Sequence, residues 1–578
     1  MAAVAEDKKK ISAWRALGMA LGNRKTGFML LFGFASGLPF ALFLGTLFAW
    51  LTEAEVDLET MGIFSLIGLA YAFQFLWSPL IDKVNIPVLR RLGRRKQWIV
   101  PMQLVLGAIL ITMSVLEPRT QLGWFSLLAG IGAFASATQD IAINAWRIDV
   151  ADERATIDIL STVYQMGYRL SSLVGGALGL IIAARIGWPE TYALMGVILL
   201  GVGFIGLWAP NASENAADVA TESERQVRAL RHAGELEPAI RNRALALVAL
   251  LWAGAIGIVL TFMIMSMTYA PEDRPNPTEF TVNVGPWIIV ATIILPALIA
   301  GWLASKKRRG EHLLTADEEP ASGGNYILDH LYRALVLPLV EFVGRMGWSL
   351  VLILAVVLTY RICDAIWGTF AYPFYLGELD YTNDDVAFAS KFFGVGAIIA
   401  GLALGGLLLT TIGRMATLLI GGILAALTNL LYADMAVGGY YMEAFSGAIG
   451  FTYLIEQVPG IGDADLAKLT ITIAFENLAI GIAGAAYIAW LSSIVSKKFS
   501  AVQYALLSSL TLLVGTLGRG ALGEMIENQG YYDVFILTTW IGLGAAVLVC
   551  IEWYRESRSR ANSGVVAPEA GQAVAPAE

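Results

Sequence analysis

The chain has 578 residues, 57% of them hydrophobic and only 15% charged, with a mean hydropathy of +0.65. A soluble domain is nearer 45–50% apolar and about 25% charged, so a soluble globular protein is excluded and an all-α polytopic membrane protein is expected. The net charge of −8 excludes a polybasic nucleic-acid partner, and Cys363 and Cys550, each in an apolar run, leave no disulfide frame or Cys-x-x-Cys metal site.

Lys8, Lys9 and Lys10 are not followed by a short apolar core with a cleavage site, so the first apolar run, from Gly27, reads as a retained span and not a signal peptide. At about 20 residues per crossing, six spans are predicted near 27–50, 61–81, 98–116, 121–143, 157–184 and 191–209. Two more follow near 244–268 and 285–304, then six near 348–372, 388–410, 415–435, 466–492, 501–523 and 532–553. Segment 441–455 is too short to cross and reads as a cap helix or an extension of its neighbour. The chain thus divides into an N-terminal segment (1–26), a six-helix half (27–209), a connector (210–243) and two extra transmembrane helices (244–304). A second connector (305–347), a second six-helix half (348–554) and a disordered tail (555–578) complete the 14 spans. With the N-terminus inside, 31 Lys and Arg lie in inner segments and three (Arg119, Arg185 and Arg274) in outer ones, which places both termini in the cytoplasm.

The segments 156–176 and 502–522 share a polar start, a Leu-Ser pair, small residues and a late arginine, and each opens the fifth span of its half. Two six-helix halves around a midplane cavity is the major facilitator fold, although two Gly/Ser-rich packing helices would also look alike.

Ionisable side chains inside spans are costly unless they face a polar cavity or a partner. In TQDIAINAWRID, Asp140, Asn144 and Arg147 fall on one helical face, flanked by Gln139. That stripe suits a ligand rich in hydroxyls and amides. The alternative is that Asp140 and Asn144 bond a neighbouring helix while Arg147 anchors at the cytoplasmic surface. Arg361 and Asp364, three residues apart, read as an internal ion pair or a gate that breaks on opening. Glu476, beside Asn477, reads as a proton carrier, or as an acid neutralised by Lys391 or Arg519. Lys468 sits one turn from the outer end and can snorkel. Tyr164, Tyr168 and Arg169 are candidates to stack on and hydrogen-bond a sugar ring, and Ser36, Tyr71 and Gln74 are further cavity candidates. Asp140, Asp364 and Glu476 are the proton-coupling candidates. The three histidines, His232, His312 and His330, lie between apolar runs, and no Walker or GxGxxG pattern is placed to bind a nucleotide. No cofactor, no metal and no enzymatic activity are expected, and an ion gradient must power any transport. The loop 82–96, with Asp82 followed by Gly93, Arg94 and Arg95, resembles the major facilitator loop signature and reads as a structural latch.

Together, GFASGLPF, LGRRKQW, ASATQDIAINAWRID, GYRLSSLVGG and SKKFSAVQYALLSSL resemble the AmpG-type muropeptide permease family of the major facilitator superfamily. The resemblance implies a monomeric, proton-coupled permease of the bacterial inner membrane. It would import GlcNAc-1,6-anhydro-MurNAc peptides from periplasm to cytoplasm for peptidoglycan recycling, with β-lactamase induction linked to the imported fragments. It also implies ligand roles for Gln139, Asp140, Tyr168 and Arg169, and agrees with two additional central helices. Asn144 departs from the acid common at that position, and the tails and second connector are long. The alternative is a paralogue carrying another bulky conjugate, such as an acyl-CoA or an oligosaccharide.

Overall fold

The computed structural model describes residues 22–54, 71, 73–211, 234–269, 273, 275, 279–280, 283–315, 324–361, 370–371, 373–458 and 462–562. Among these the chain is helical throughout, with a single isolated bridge between Leu236 and Leu313. Helices are the expected outcome for apolar runs of this length, because in lipid each backbone N–H and C=O must find its partner inside the segment.

The first set comprises α1 (Arg24–Leu51), α2 (Lys96–Ser114), α3 (Leu122–Val150), α4 (Ile157–Ile186) and α5 (Trp188–Gly206). The Asn23 side chain caps α1 by accepting from Lys25 N, and Thr156 does the same for α4 from Ile159 N. α6 (Pro238–Phe262) and α7 (Gly285–Arg309) form the central insert. Next come α8 (Ile327–Met346) and α9 (Ser349–Thr359), which meet at a bend of 105° where Gly347 takes a positive φ of 57°. α10 (Asp384–Thr411), α11 (Arg414–Ala436), α12 (Ala464–Ile494), α13 (Ser500–Gln529) and α14 (Tyr531–Asn562) complete the chain. Among the described residues 11 helices are long and apolar enough to cross a membrane, or 12 if the bent pair is one span. Most of the second expected span, and the latter part of the span expected at 348–372, lie outside the described residues. Segment 441–455 divides into two short helices, Tyr440–Ala448 and Phe451–Ile455, and Lys468 pairs there with Asp465 at 2.6 Å and Glu443 at 3.6 Å.

α1 packs along α4 and α2 along α5, and in the second set α10 packs along α12 and α11 along α14. Glycine permits the closest of these approaches. A Cβ on Gly167 would lie 2.2 Å from the Leu30 carbonyl oxygen, and one on Gly401 would lie 2.2 Å from that of Leu478. The two sets meet along a seam where α4 packs on α10 and α12, and α3 packs on α13.

The expected second connector is more ordered than its polar composition suggests. Residues 324–346 are helical, and the sides of Tyr332, Val336, Leu339 and Val340 are buried with Leu245, Val248, Trp252, Ala300 and Leu303 of the insert. A buried ionic cluster fixes this joint. Arg241 bonds Asp329 and contacts Glu235 at 3.3 Å, while Arg333 reaches Asp329 at 2.7 Å and Glu235 at 3.0 Å. Beside it the two connectors zip together, Gly234 N donating to Leu314 O at 2.9 Å and Leu314 N to Glu235 O at 2.8 Å.

Candidate functional site

The polar stripe of α3 faces inward, because small residues (Ala135, Ser136, Ala137, Ala142, Ala145) let α1 and α4 close over it. Asp140 Oδ1 accepts from Ser36 Oγ of α1 at 2.5 Å and from Tyr164 OH of α4 at 2.8 Å, and those two oxygens lie 3.0 Å apart. One carboxylate thus joins three helices. Asp140 lies deep among protein atoms and keeps a part of its surface accessible. Asn144 donates to the Asp140 backbone carbonyl at 2.8 Å and Gln139 to the Ala35 carbonyl at 2.6 Å. The Oδ1 of Asn144 and the Oε1 of Gln139 are enclosed without a hydrogen-bond partner. Gln139 therefore ties α3 to α1 with one end of its amide, Asn144 bonds back along α3, and each leaves its oxygen unsatisfied.

An aromatic row extends from this cluster. The ring of Tyr164 lies 6.2 Å from that of Tyr168, which lies 6.2 Å from Phe40, which lies 5.2 Å from Tyr71. Tyr71 OH donates to Ser136 Oγ at 2.8 Å. Gln74 is buried with its Oε1 unpartnered. Tyr168 and Arg169 are half-buried, and Arg361 lies within electrostatic reach of Tyr168 on one set and Tyr487 on the other. Asp364, the expected partner of Arg361, lies outside the described residues.

Arg147 is not a surface anchor. It is 0% exposed, held between the rings of Tyr164 at 4.8 Å and Tyr504 of α13 at 5.1 Å, and its Nη2 donates to Ser492 Oγ of α12 at 2.9 Å. Of the two readings, the surface anchor does not hold, because α12 and α13 close over the end of α3, a tertiary contact that spacing along one helix cannot reveal.

In the second set, Tyr432 OH donates to Glu476 Oε2, and Tyr375 OH lies 2.9 Å from Tyr432 OH. Tyr432 is thus a partner of this acid; Lys391 is exposed on α10, and the side chain of Arg519 lies outside the described residues. Asn477 donates to the Ile473 carbonyl at 2.9 Å and faces Gly394 of α10.

At the end of the bundle where α3 stops and α4 starts, the loop residues form a latch that reaches across the seam. Arg95 bonds Asp82 at 2.8 Å, Asp149 at 2.7 Å and Ser500 Oγ at 2.7 Å, and Arg94 bonds Asp82 at 3.2 Å. Asp82 Oδ2 accepts from Val502 N at 3.1 Å, capping the first turn of α13. Enclosure alone would pull the Arg95 guanidinium down, but the carboxylates of Asp149 and Asp82 outweigh it and hold its pKa above the usual arginine value. Gly93 provides the turn with φ 103°. A second tie runs from Arg414 of α11 to Asp158 of α4 at 2.8 Å. Sequence reasoning found Asp82, Arg94 and Arg95 but missed Asp149, Ser500 and Val502. The matching segment SKKFSAVQYALLSSL was the available signal.

Two sets of membrane-length helices, with a carboxylate and two hydroxyls brought together inside the first and a latch across their seam, fit a multi-pass membrane transporter, and the relatives of the chain bear this class out. In sequence the chain resembles the anhydromuropeptide permeases (AmpG). It is 28% identical over 530 residues to the anhydromuropeptide permease of Escherichia coli K12, covering 91% of this chain and 79% of that one. It is 25% identical over 523 residues to a Rickettsia conorii protein provisionally named as the transporter AmpG 4, covering 90% of this chain and 94% of that one. The acetyl-coenzyme A transporter 1 family matches residues 27–122. Among solved structures, the chain is similar to the major facilitator proton:xylose symporter XylE at 12% identity and TM-score 0.49, covering 94% of this chain and 96% of that one. An auto-inhibited peptide transporter of the POT family matches at 12% identity and TM-score 0.48, covering 94% and 97%.

Proposed function

We propose that the chain is a proton-coupled secondary transporter of the inner membrane that imports anhydromuropeptides into the cytoplasm. The observation that carries this reading is the similarity to the Escherichia coli anhydromuropeptide permease along 91% of the chain. On this reading the 14 spans form two six-helix halves around the insert, and the chain works as a monomer. The latch end is the cytoplasmic one, in keeping with the Lys/Arg asymmetry of the loops.

Asp140 is the leading coupling residue. As a carboxylate it accepts from Ser36 and Tyr164 together at Oδ1, and protonation removes the charge that strengthens both bonds. Protonation therefore loosens α1 and α4 from α3 at the edge of the binding region, where Tyr168, Arg169, Gln139, Asn144, Tyr71 and Gln74 stand as ligand contacts. Glu476 and Asp364 are secondary coupling candidates, and Arg361, Lys391 and Asn477 complete the ligand set from the second half. With the latch shut, the conformation described is closed to the cytoplasm.

The test is uptake of a labelled anhydromuropeptide into proteoliposomes with an inward proton gradient. Accumulation should collapse with an uncoupler, and Asp140→Asn should abolish the gradient-driven part while remaining folded. Full gradient-driven uptake by Asp140→Asn would remove that residue from coupling. The family match over residues 27–122 favours a second reading, transport of acetyl-coenzyme A, which the same vesicles test directly.

A further inference from the structure

Arg147 is buried, and among the described residues no carboxylate pairs with it. A guanidinium has five N–H donors, and the hydrogen bond described for Arg147 is the one from Nη2 to Ser492 Oγ. Its Nε and Nη1 are enclosed and make no hydrogen bond. Asp140, two turns back on the same helix, is engaged by Ser36 and Tyr164 and reaches Arg147 only through space. Two ring faces and one hydroxyl return only part of the hydration a guanidinium gives up on burial. Membrane proteins retain such groups where an ion or a ligand passes.

The distribution of its partners suggests when the missing charge arrives. Tyr164 is on α4, in the same half as Arg147, whereas Ser492 and Tyr504 are on α12 and α13 across the seam. Parting the halves removes two of the three contacts together and presents the open fork of the guanidinium to the path between them. We propose that Arg147 is an anion-recognition site on the transport path, taking an oxyanion of the substrate as the seam opens. This rests on the transporter reading above and adds that the substrate must be an anion. A peptide carboxylate and a nucleotide phosphate share this chemistry, since either accepts two parallel N–H bonds from the planar fork.

The experiment compares uptake of three probes by the full-length protein in proteoliposomes: an anhydro-disaccharide peptide with free carboxylates, the same molecule with its carboxyls amidated, and acetyl-coenzyme A. Wild type should take up the acid form about tenfold more efficiently than the amide, the scale of one charge-assisted bond. Arg147→Gln should bring that ratio near one by losing the acid form and keeping the amide, whereas a merely structural residue would lower both alike. Arg147→Lys, which keeps the charge without the fork, should fall between. If Arg147→Gln does not fold, Arg147→Lys and the wild-type ratio decide. A preference that persists in folded Arg147→Gln, or a wild type indifferent to amidation, overturns the site while the importer reading stands. Uptake of acetyl-coenzyme A alone, lost in Arg147→Gln, keeps the site with phosphate as its anion and removes the muropeptide. No uptake of any probe removes both.

Discussion

Replacing Asp82 by Asn tests the latch with little change of shape. Asp82 is the acceptor for Arg95 at 2.8 Å, Arg94 at 3.2 Å and Val502 N at 3.1 Å, and its side chain is 0% exposed. Removing one charge from a buried pair costs about 3–5 kcal/mol when the remaining charge is left unpaired. Arg95 retains Asp149 at 2.7 Å and Ser500 at 2.7 Å, so the expected loss is smaller, about 1–3 kcal/mol, as for a hydrogen bond between charged groups. At about 1.4 kcal/mol per factor of ten, the seam should open roughly 5- to 150-fold more often. Hydrogen exchange followed by mass spectrometry reads this directly, because the Val502 amide itself bonds Asp82. Peptides covering 498–506 should exchange faster by that factor while those of the α2–α5 pair stay unchanged. Unchanged exchange at 498–506 in a folded variant would refute the latch.

Three further outcomes follow from other contacts. Gly167→Ala puts a methyl group 2.2 Å from the Leu30 carbonyl, so α1 and α4 must separate and the variant should lose about 1–3 kcal/mol of stability in thermal melts. Gly254→Ala, on α6 with nothing within 4 Å, should melt as wild type or slightly higher; equal melting of the two variants contradicts the close approach. Arg241→Gln leaves Asp329 with Arg333 alone, and proteolysis at the zipped connectors should become faster while α10–α14 remain protected. Tyr432→Phe removes the donor to Glu476 at a cost of about 1–3 kcal/mol and should slow gradient-driven uptake severalfold without unfolding; unaltered uptake would take Glu476 out of the coupling set.

The 11 or 12 spans found among the described residues were legible because hydrophobic length is a local property, and the latch acid and arginines because a turn glycine and charges at a helix end stand close in sequence. Asp140 was legible for the same reason, as an acid in an apolar run. Its partners were less so. Ser36 and Tyr164 lie 104 and 128 residues apart from their respective bonding partners, Asp140 and Ser36, and nothing in the spacing links them. The surroundings of Arg147 were not legible, because they come from α12 and α13, more than 300 residues away. The helix at 324–346 was hidden by a polar lead-in, and its apolar face has meaning only against the insert.

The zipped connectors make the insert a closed excursion. Chain leaves the bundle at Gly234 and returns at Leu314, and neighbouring strands at such a bridge stand only about 5 Å apart. What lies between resembles an appendix more than a link in the barrel of helices. A direct splice from 234 to 314 would span the gap, while baring the face of α8 that packs on the insert. Evolution, or an engineer, thus has a position in this chain where two helices can be gained, lost or exchanged for another pair. The charges of Asp329 and Arg333 record which pair is in place.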